Sequence, residues 1–342
     1  MSQYVLRPSR LDDFEALMDL ARSSGTGFTS LPVDERQMRE RLEKSEKAFS
    51  GKLAEPQYGK YLMMLEEAAT GEVAGCSAVK CGTGIQEPFF NYRIITVAQA
   101  SQVADKRFDM DVLILTNEFV GCTEVATLFL KEGHRGSGGA GRLAAQSRYL
   151  LMATDPERFG DRILSELRGV TDEEGNTPFW ECLSKHFFKM TFPEADYMSA
   201  VTDNQFILDL MPNYPIYIDL LPPDGREAIG RCHRDGVGAM KLLEWEGFRF
   251  ERTVDIFDGG PMMAADLKNI RTFREARIVR VAQGSPEGTV TGIVATTGLQ
   301  DFRSILLNGD FRGEDEIVLS ANDLSLLGLK DGDEARIWKR SQ

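Results

Sequence analysis

The sequence predicts an α+β fold, with mixed sheets flanked by helices over most of the chain and a small β-rich domain at its C-terminal end. Three observations carry this. Strand-like and helix-like patterns interleave from the N-terminus to about residue 275. A glycine run at 136–141 sits between an apolar strand pattern and a helix pattern. After Ala276 the pattern becomes short apolar stretches separated by turn residues such as Asp331-Gly332-Asp333. At 342 residues the chain is long for one core, and two or three lobes are expected.

The elements follow in order. Tyr4-Val5-Leu6-Arg7 reads as a short strand, with Ser9 or Asp12 placed to cap the helix after it. That helix carries Phe14, Leu17, Met18 and Ala21, an i, i+3, i+4, i+7 stripe. A polar, glycine-containing loop at 23–32 leads to a charged amphipathic helix at about 34–49. Residues 60–65 and 72–80 read as antiparallel strands around a turn at 66–71. Strand patterns recur at 92–98, 112–116 and 124–130, and the last runs directly into the glycine run. A helix at 143–153 presents Leu143, Leu150 and Leu151, and 162–170 reads as a strand. A turn at 174–176 leads to a helix from Pro178-Phe179-Trp180 to about residue 188, and 205–210 is helical. Residues 239–246 form a helix that Gly247 closes. A strand at 248–257 and a turn at 258–261 follow. The tail strands are read at 278–282, 292–297, 302–307, 316–320 and 334–338.

Composition excludes several function classes. Hydrophobic residues make up 42% and charged residues 27%, as in soluble globular proteins. The formal charge of −13 argues against a nucleic-acid or membrane partner, because phosphate surfaces repel it. The five cysteines are odd in number and lack CxxC spacing, so neither a disulfide framework nor a metal site is expected. The N-terminus lacks the basic and apolar regions of a signal peptide, and no window approaches the ~18 apolar residues of a membrane span. A cytoplasmic location is the expectation.

The chemistry concentrates in His134-Arg135-Gly136-Ser137-Gly138-Gly139-Ala140-Gly141. Glycines let backbone approach a ligand without Cβ clashes, and a helix start aims free N–H groups at an anion. A pyrophosphate suits such a site, with Arg135, Arg142 or Arg148 adding charge. The run lacks the Gly-Lys-Ser/Thr ending of an ATP-binding loop and the setting of a dinucleotide fingerprint. Arg135, Gly138 and Ala140 instead make Arg-x-x-Gly-x-Ala, which resembles the pyrophosphate loop of the GNAT acyltransferases. That resemblance assigns Arg135, Gly136, Gly138, Gly139, Ala140 and Gly141 to coenzyme A. Residues 233–250 look like a second loop, helix and Glu246-Gly247-Phe248 turn. The expectation is therefore tandem GNAT-like halves: a CoA-binding half at 1–195, a degenerate half at 196–275 and the β-rich tail at 276–342.

More specific stretches are Thr29-Ser30-Leu31-Pro32, Glu87-Pro88-Phe89-Phe90-Asn91-Tyr92-Arg93, Thr177-Pro178-Phe179-Trp180, Glu166-Leu167-Arg168-Gly169, Leu210-Met211-Pro212 and Asp255-Ile256-Phe257-Asp258-Gly259-Gly260-Pro261. Together they resemble the arginine N-succinyltransferase family, which includes the alpha subunit of the arginine/ornithine enzyme. The resemblance spans the chain. It implies succinyl-CoA and L-arginine as substrates, no tightly bound cofactor, no metal, and a homodimer or a heteromer with a paralogous subunit. It also implies His233, in Gly230-Arg231-Cys232-His233, as proton donor, and Leu128 as a succinyl-CoA contact through its strand edge. Arg234 stands where several family members have proline, which bears on the charge around His233. Imidazole chemistry fits, because a proton leaves the amine and one reaches the departing thiolate.

Other assignments rest on residue type. Glu124 and Glu166 are candidates for the arginine guanidinium, with a solvated strand-end charge as the alternative for each. Arg93 and Arg168 are candidates for the succinyl carboxylate. His134 is either a phosphate contact or an exposed loop residue. His186, Phe179 and Trp180 read as structural. A relative that acylates another amine and a non-catalytic CoA-binding subunit are the competing readings.

Overall fold

A computed structural model describes residues 3–25, 30–136, 138–172, 176–202 and 204–340. Thr29, Ser137 and the Glu174-Gly175 part of the expected turn lie outside these residues. β1 (Tyr4–Pro8) is followed by α1 (Phe14–Ser24) and α2 (Glu35–Phe49). β2 (Lys60–Glu67) and β3 (Val73–Lys80) make an antiparallel hairpin, and β4 (Asn91–Ser101) and β5 (Lys106–Thr116) a longer one. β6 (Thr123–Leu130) leads into α3 (Ala140–Met152), and β7 (Arg162–Glu166) follows. Short elements come next: α4 (Lys185–Phe188), α5 (Phe192–Val201), α6 (Gln205–Leu210), β8 (Ile216–Tyr217) and α7 (Pro223–Ala228). α8 (Val237–Glu246) precedes β9 (Arg249–Asp255), β10 (Pro261–Asp266) and α9 (Arg271–Glu275). The tail holds β11 (Arg277–Gln283), β12 (Val290–Thr296), β13 (Ser304–Phe311), β14 (Glu316–Leu319), α10 (Ala321–Leu327) and β15 (Glu334–Lys339).

The main sheet runs β1-β2-β3-β6-β7-β10-β9-β4-β5-β8. Its centre is covered on both faces, and β2 shows why. Tyr61, Met63 and Leu65 pack with Leu143, Leu150 and Leu151 of α3, whereas Leu62 and Met64 pack with Leu17 of α1 and Leu42 of α2. This is the period-2 alternation of a strand with two buried faces. The helix starts are explicit in the sequence. Asp34 accepts from Gln37 N at 2.9 Å, a side-chain N-cap. Before α1, Asp13 accepts from Arg10 N at 2.7 Å, so Asp13 caps the turn there in place of the expected Ser9 or Asp12.

The structure corrects the expectation of two halves. Residues 196–275 build no sheet of their own. They supply β8, β9 and β10 to the sheet begun by β1, with Met262 of β10 opposite Glu166 of β7. The sequence hid β10 because Asp258-Gly259-Gly260-Pro261 reads as a turn. Pro261 is the first strand residue, a place where proline is tolerated. β7 is also shorter than expected. It stops at Glu166, and Gly169 instead bridges Cys232. The hairpin β4–β5 is longer, because its outer half is exposed and carries no apolar alternation to mark it.

In the tail, β12-β15-β11-β14-β13 closes into a ring through a β12–β13 pairing. Leu324 and Leu327 of α10, an element that the sequence patterns missed, join the ring's core. β13 pairs with β1, with Val5 opposite Ile305, so the ring grows directly from the main sheet. Ile293, Phe302 and Trp338 of the tail share a core with Leu143 of α3 and Leu243 of α8. Among the described residues, no helix is long and apolar enough to cross a membrane.

Candidate active site

A cleft of about 1030 Å³ opens where β6 and β7 part. These parallel strands are paired only at Thr123–Ile163 and Glu124–Leu164. Beyond Ser165, whose hydroxyl donates to the Val125 carbonyl at 3.2 Å, β6 stays with β3 and β7 stays with β10. The gap exposes one edge of β6 to the cleft. Facing Ser77 of β3, β6 carries Thr127 and Leu128 between the pairs Cys76–Phe129 and Ala78–Ala126, which is a bulge. Thr127 takes φ of 55°, in a left-handed region that β-branched residues rarely enter. The bulge turns a strand edge toward the cleft, and half-buried Leu128 lines it.

The glycine run crosses one end of this cleft. Arg135, Gly136, Gly139 and Gly141 line it, as do Arg142 and Arg148. Gly139, with φ of 72°, is the N-cap of α3, and no side chain caps the helix there. The first turn holds no acidic residue, so its amides and dipole remain available to an anion. The Arg135 Nε donates to the Leu130 carbonyl at 2.9 Å, which pins the loop to the end of β6. Gly138 and Ala140 are not among the lining residues. Gly138 packs against Gln3 and Tyr4, and Ala140 is buried in the core. His134 accepts or donates at 2.9 Å with the Tyr4 hydroxyl, a structural contact, and His186 is exposed on α4.

Four carboxylates converge farther along. Glu124 comes from β6, Glu166 from the end of β7, Asp255 from the end of β9 and Asp258 from the turn before β10. Glu124 and Glu166 were legible as candidates; Asp255 and Asp258 were missed, because they sat in a stretch read as strand end and turn. The fold holds the pair tightly. Asp258 accepts from Gly169 N at 2.6 Å and Gly260 N at 2.7 Å, and Asp255 accepts from Phe257 N at 2.7 Å and Asp258 N at 2.8 Å. No Cβ fits at Gly260, since it would meet the Leu167 carbonyl at 2.1 Å. Burial, then the neighbouring Asp255 carboxylate, pushes the Asp258 carboxyl up to about 8. Glu166 opens onto the cleft, but enclosure there, with Asp255, Glu124 and Asp258, holds its carboxyl well above the usual range. Glu124 is paired with Lys80 at 3.2 Å, whereas Glu166, Asp255 and Asp258 have no ion-pair partner among the described residues. Among the described residues, no group of His, Cys, Asp or Glu is arranged to hold a metal ion.

His233 lines the same cleft. Its backbone N donates to the Arg168 carbonyl at 2.8 Å, beside the Gly169–Cys232 bridge, which anchors the segment to the end of β7. Its Nδ1 accepts from Asp235 N at 3.2 Å and lies 3.7 Å from the Asp235 carboxylate. An Nδ1 engaged as acceptor leaves the proton of the neutral ring on Nε2. Burial, then the positive charges of Arg168 and Arg234, lowers the imidazole pKa against the opposing pull of Asp235. Arg168 lines the cleft next to this ring. Arg93 does not: it is paired with Glu118 at 2.6 Å. Phe179 and Trp180 are fully buried.

The family described as arginine N-succinyltransferase beta subunit matches residues 4–272, and the C-terminal domain of that subunit matches residues 274–339. An arginine N-succinyltransferase of Escherichia coli is 38% identical over 335 residues, covering 97% of this chain and 96% of that protein. The solved structure of arginine/ornithine succinyltransferase subunit AI from Pseudomonas aeruginosa superposes with a TM-score of 0.91 over 100% of both chains, at 31% identity.

Proposed function

The chain belongs to the arginine N-succinyltransferase family, and on that premise we propose that its cleft transfers succinyl from succinyl-CoA to the α-amino group of L-arginine, giving N2-succinylarginine and CoA. The observation that carries the site assignment is the convergence of the glycine run, the open edge of β6, the four carboxylates and His233 on one cleft. Arg135, Gly136, Gly139 and Gly141 face the pyrophosphate at the uncapped start of α3, with Gly138 and Ala140 packed behind them in the same loop. Pantetheine lies along the free edge of β6 at Leu128, its amides pairing with strand backbone as an added strand would.

The acceptor lies against Glu124, Glu166, Asp255 and Asp258, which take the guanidinium through charge-assisted hydrogen bonds. The neutral α-amine attacks the thioester carbonyl, a C–N bond forms, and the C–S bond then breaks. The Nε2–H of the neutral His233 ring hydrogen-bonds to the departing sulfur and stabilises its developing negative charge, and the proton that the amine gives up passes to that sulfur. Proton count and charge balance, because the amine loses one proton and the thiol gains one.

The carboxylates make arginine binding a proton-linked event. A carboxyl with a raised folded pKa favours the folded state while protonated. For Asp258 that contribution is complete below its ordinary value of 3.8 and is lost as pH rises through about 8. A bound guanidinium favours the ionised form, so binding releases protons and arginine affinity rises with pH toward 8. Calorimetric titration in buffers of different ionisation enthalpy reads this release. Glu166→Gln is expected to weaken arginine binding by about tenfold or more and to reduce the release, with CoA affinity unchanged. Arginine binding that is independent of pH and of Glu166 contradicts the assignment.

A further inference from the structure

The cleft also holds a concentration of positive charge that the assigned steps leave unused. Lys60, the first residue of β2, stands directly opposite Lys80, the last residue of β3, and Lys80 stands opposite Glu124 of β6. Like charges directly opposite on neighbouring strands are destabilising, so this row costs stability where it stands. Glu124 answers Lys80 at 3.2 Å. Lys60 reaches only Glu87, at 4.0 Å, and Glu87 is largely exposed. Arg41 and Lys44 of α2 line the same part of the cleft. Neither makes an ion pair among the described residues, and Arg41 donates instead to the Ser30 carbonyl. Burial, then the charges of Lys44, Lys80 and Arg41, lowers the Lys60 pKa despite Glu87, so each of the three other cations acts on Lys60.

Position along β6 decides what this cluster serves. The glycine run follows Leu130 at one end of the strand, and Glu124 is six residues back, about 20 Å at the strand rise. A donor with its pyrophosphate at the glycine run directs its acyl group toward Glu124, hence toward Lys80 and Lys60. Arg168, the sequence candidate that does line the cleft, stands beside His233 after β7.

We propose that Arg41, Lys44, Lys60 and Lys80 form the subsite that holds the distal carboxylate of the acyl group, so that the cleft selects a dicarboxylic acyl donor over a neutral one. This rests on the reading of the cleft as an acyl-CoA site. The acceptor's own α-carboxylate is the other carboxylate present, and the experiment separates the two.

The probe is Lys60→Met, which keeps side-chain length and removes one of two opposed charges. kcat/KM is measured with succinyl-CoA and with butyryl-CoA, which has the same number of acyl carbons but no carboxylate. Affinity for both thioesters is measured by calorimetry without acceptor. The variant is expected to lower the succinyl-to-butyryl ratio about tenfold or more in both measurements, and Lys60→Arg is expected to restore most of it. An unchanged ratio overturns the proposal. So does a loss that is equal for both thioesters and disappears when agmatine, which lacks the α-carboxylate, replaces arginine. Wild-type protein that binds succinyl-CoA more tightly than butyryl-CoA but transfers neither supports the subsite while it removes the activity reading.

Discussion

Replacing His233 with alanine is expected to lower kcat by about 10²–10⁴-fold while leaving affinity for CoA unchanged. The geometry gives the reason. The ring is anchored through its own backbone to Arg168, and Asp235 N occupies Nδ1 at 3.2 Å, so Nε2–H is the ring atom left for chemistry. None of these contacts involves the glycine run, so the donor still binds when the ring is gone. The pH profile adds a second readout. Burial and the charges of Arg168 and Arg234 lower the imidazole pKa, so the neutral ring persists below the ordinary value of 6.5. The acid limb of kcat that belongs to His233 therefore lies below that value, and the alanine variant loses it. A near-normal kcat in this variant removes His233 from the mechanism.

Replacing Trp180 with alanine is expected to cost about 3–5 kcal/mol of stability, read as a shift in the denaturation midpoint. Trp180 is fully buried and stacks on Phe188 at 5.3 Å between ring centroids, with Phe192 and Phe257 each at 5.9 Å. Truncation leaves a cavity that rigid aromatic neighbours cannot fill. The effect reaches the site, because Phe257 precedes Asp258 and lines the cleft. The folded fraction of this variant is expected to bind arginine more weakly and CoA normally. Trp180→Phe retains a ring in the stack and is expected to lose only a fraction of both. Equal stability in the alanine variant contradicts the packing described for this core.

The glycine-run end of the cleft was more legible than the carboxylate end, for physical reasons. The glycine run announced itself because an apolar strand pattern at 124–130 leads straight into it and a helix follows. Contacts of that kind are local, and local order shows in sequence. Asp255 and Asp258 stood in a stretch that carried the family resemblance, yet no local pattern gave either one a role. They reach Glu166 only because β10 pairs with β7 across nearly one hundred positions, a register set by burial of Met262 and Met263. The same pairing explains why residues 196–275 looked like a repeat: a histidine, a helix and a glycine turn recur, but their strands complete an existing sheet. Arg93 looked free in sequence, and only the fold reveals Glu118 at its guanidinium. The row of Lys60, Lys80 and Glu124 likewise exists only once three strands are in register.

The product itself tests the proposed transfer most directly. Purified protein is incubated with succinyl-CoA and L-arginine, thiol release is followed, and the product is identified by mass spectrometry with the acylated nitrogen assigned. One CoA thiol is expected to be released per molecule of N2-succinylarginine formed. Binding of succinyl-CoA without thiol release, or acylation of the guanidinium nitrogen in place of the α-amine, contradicts it.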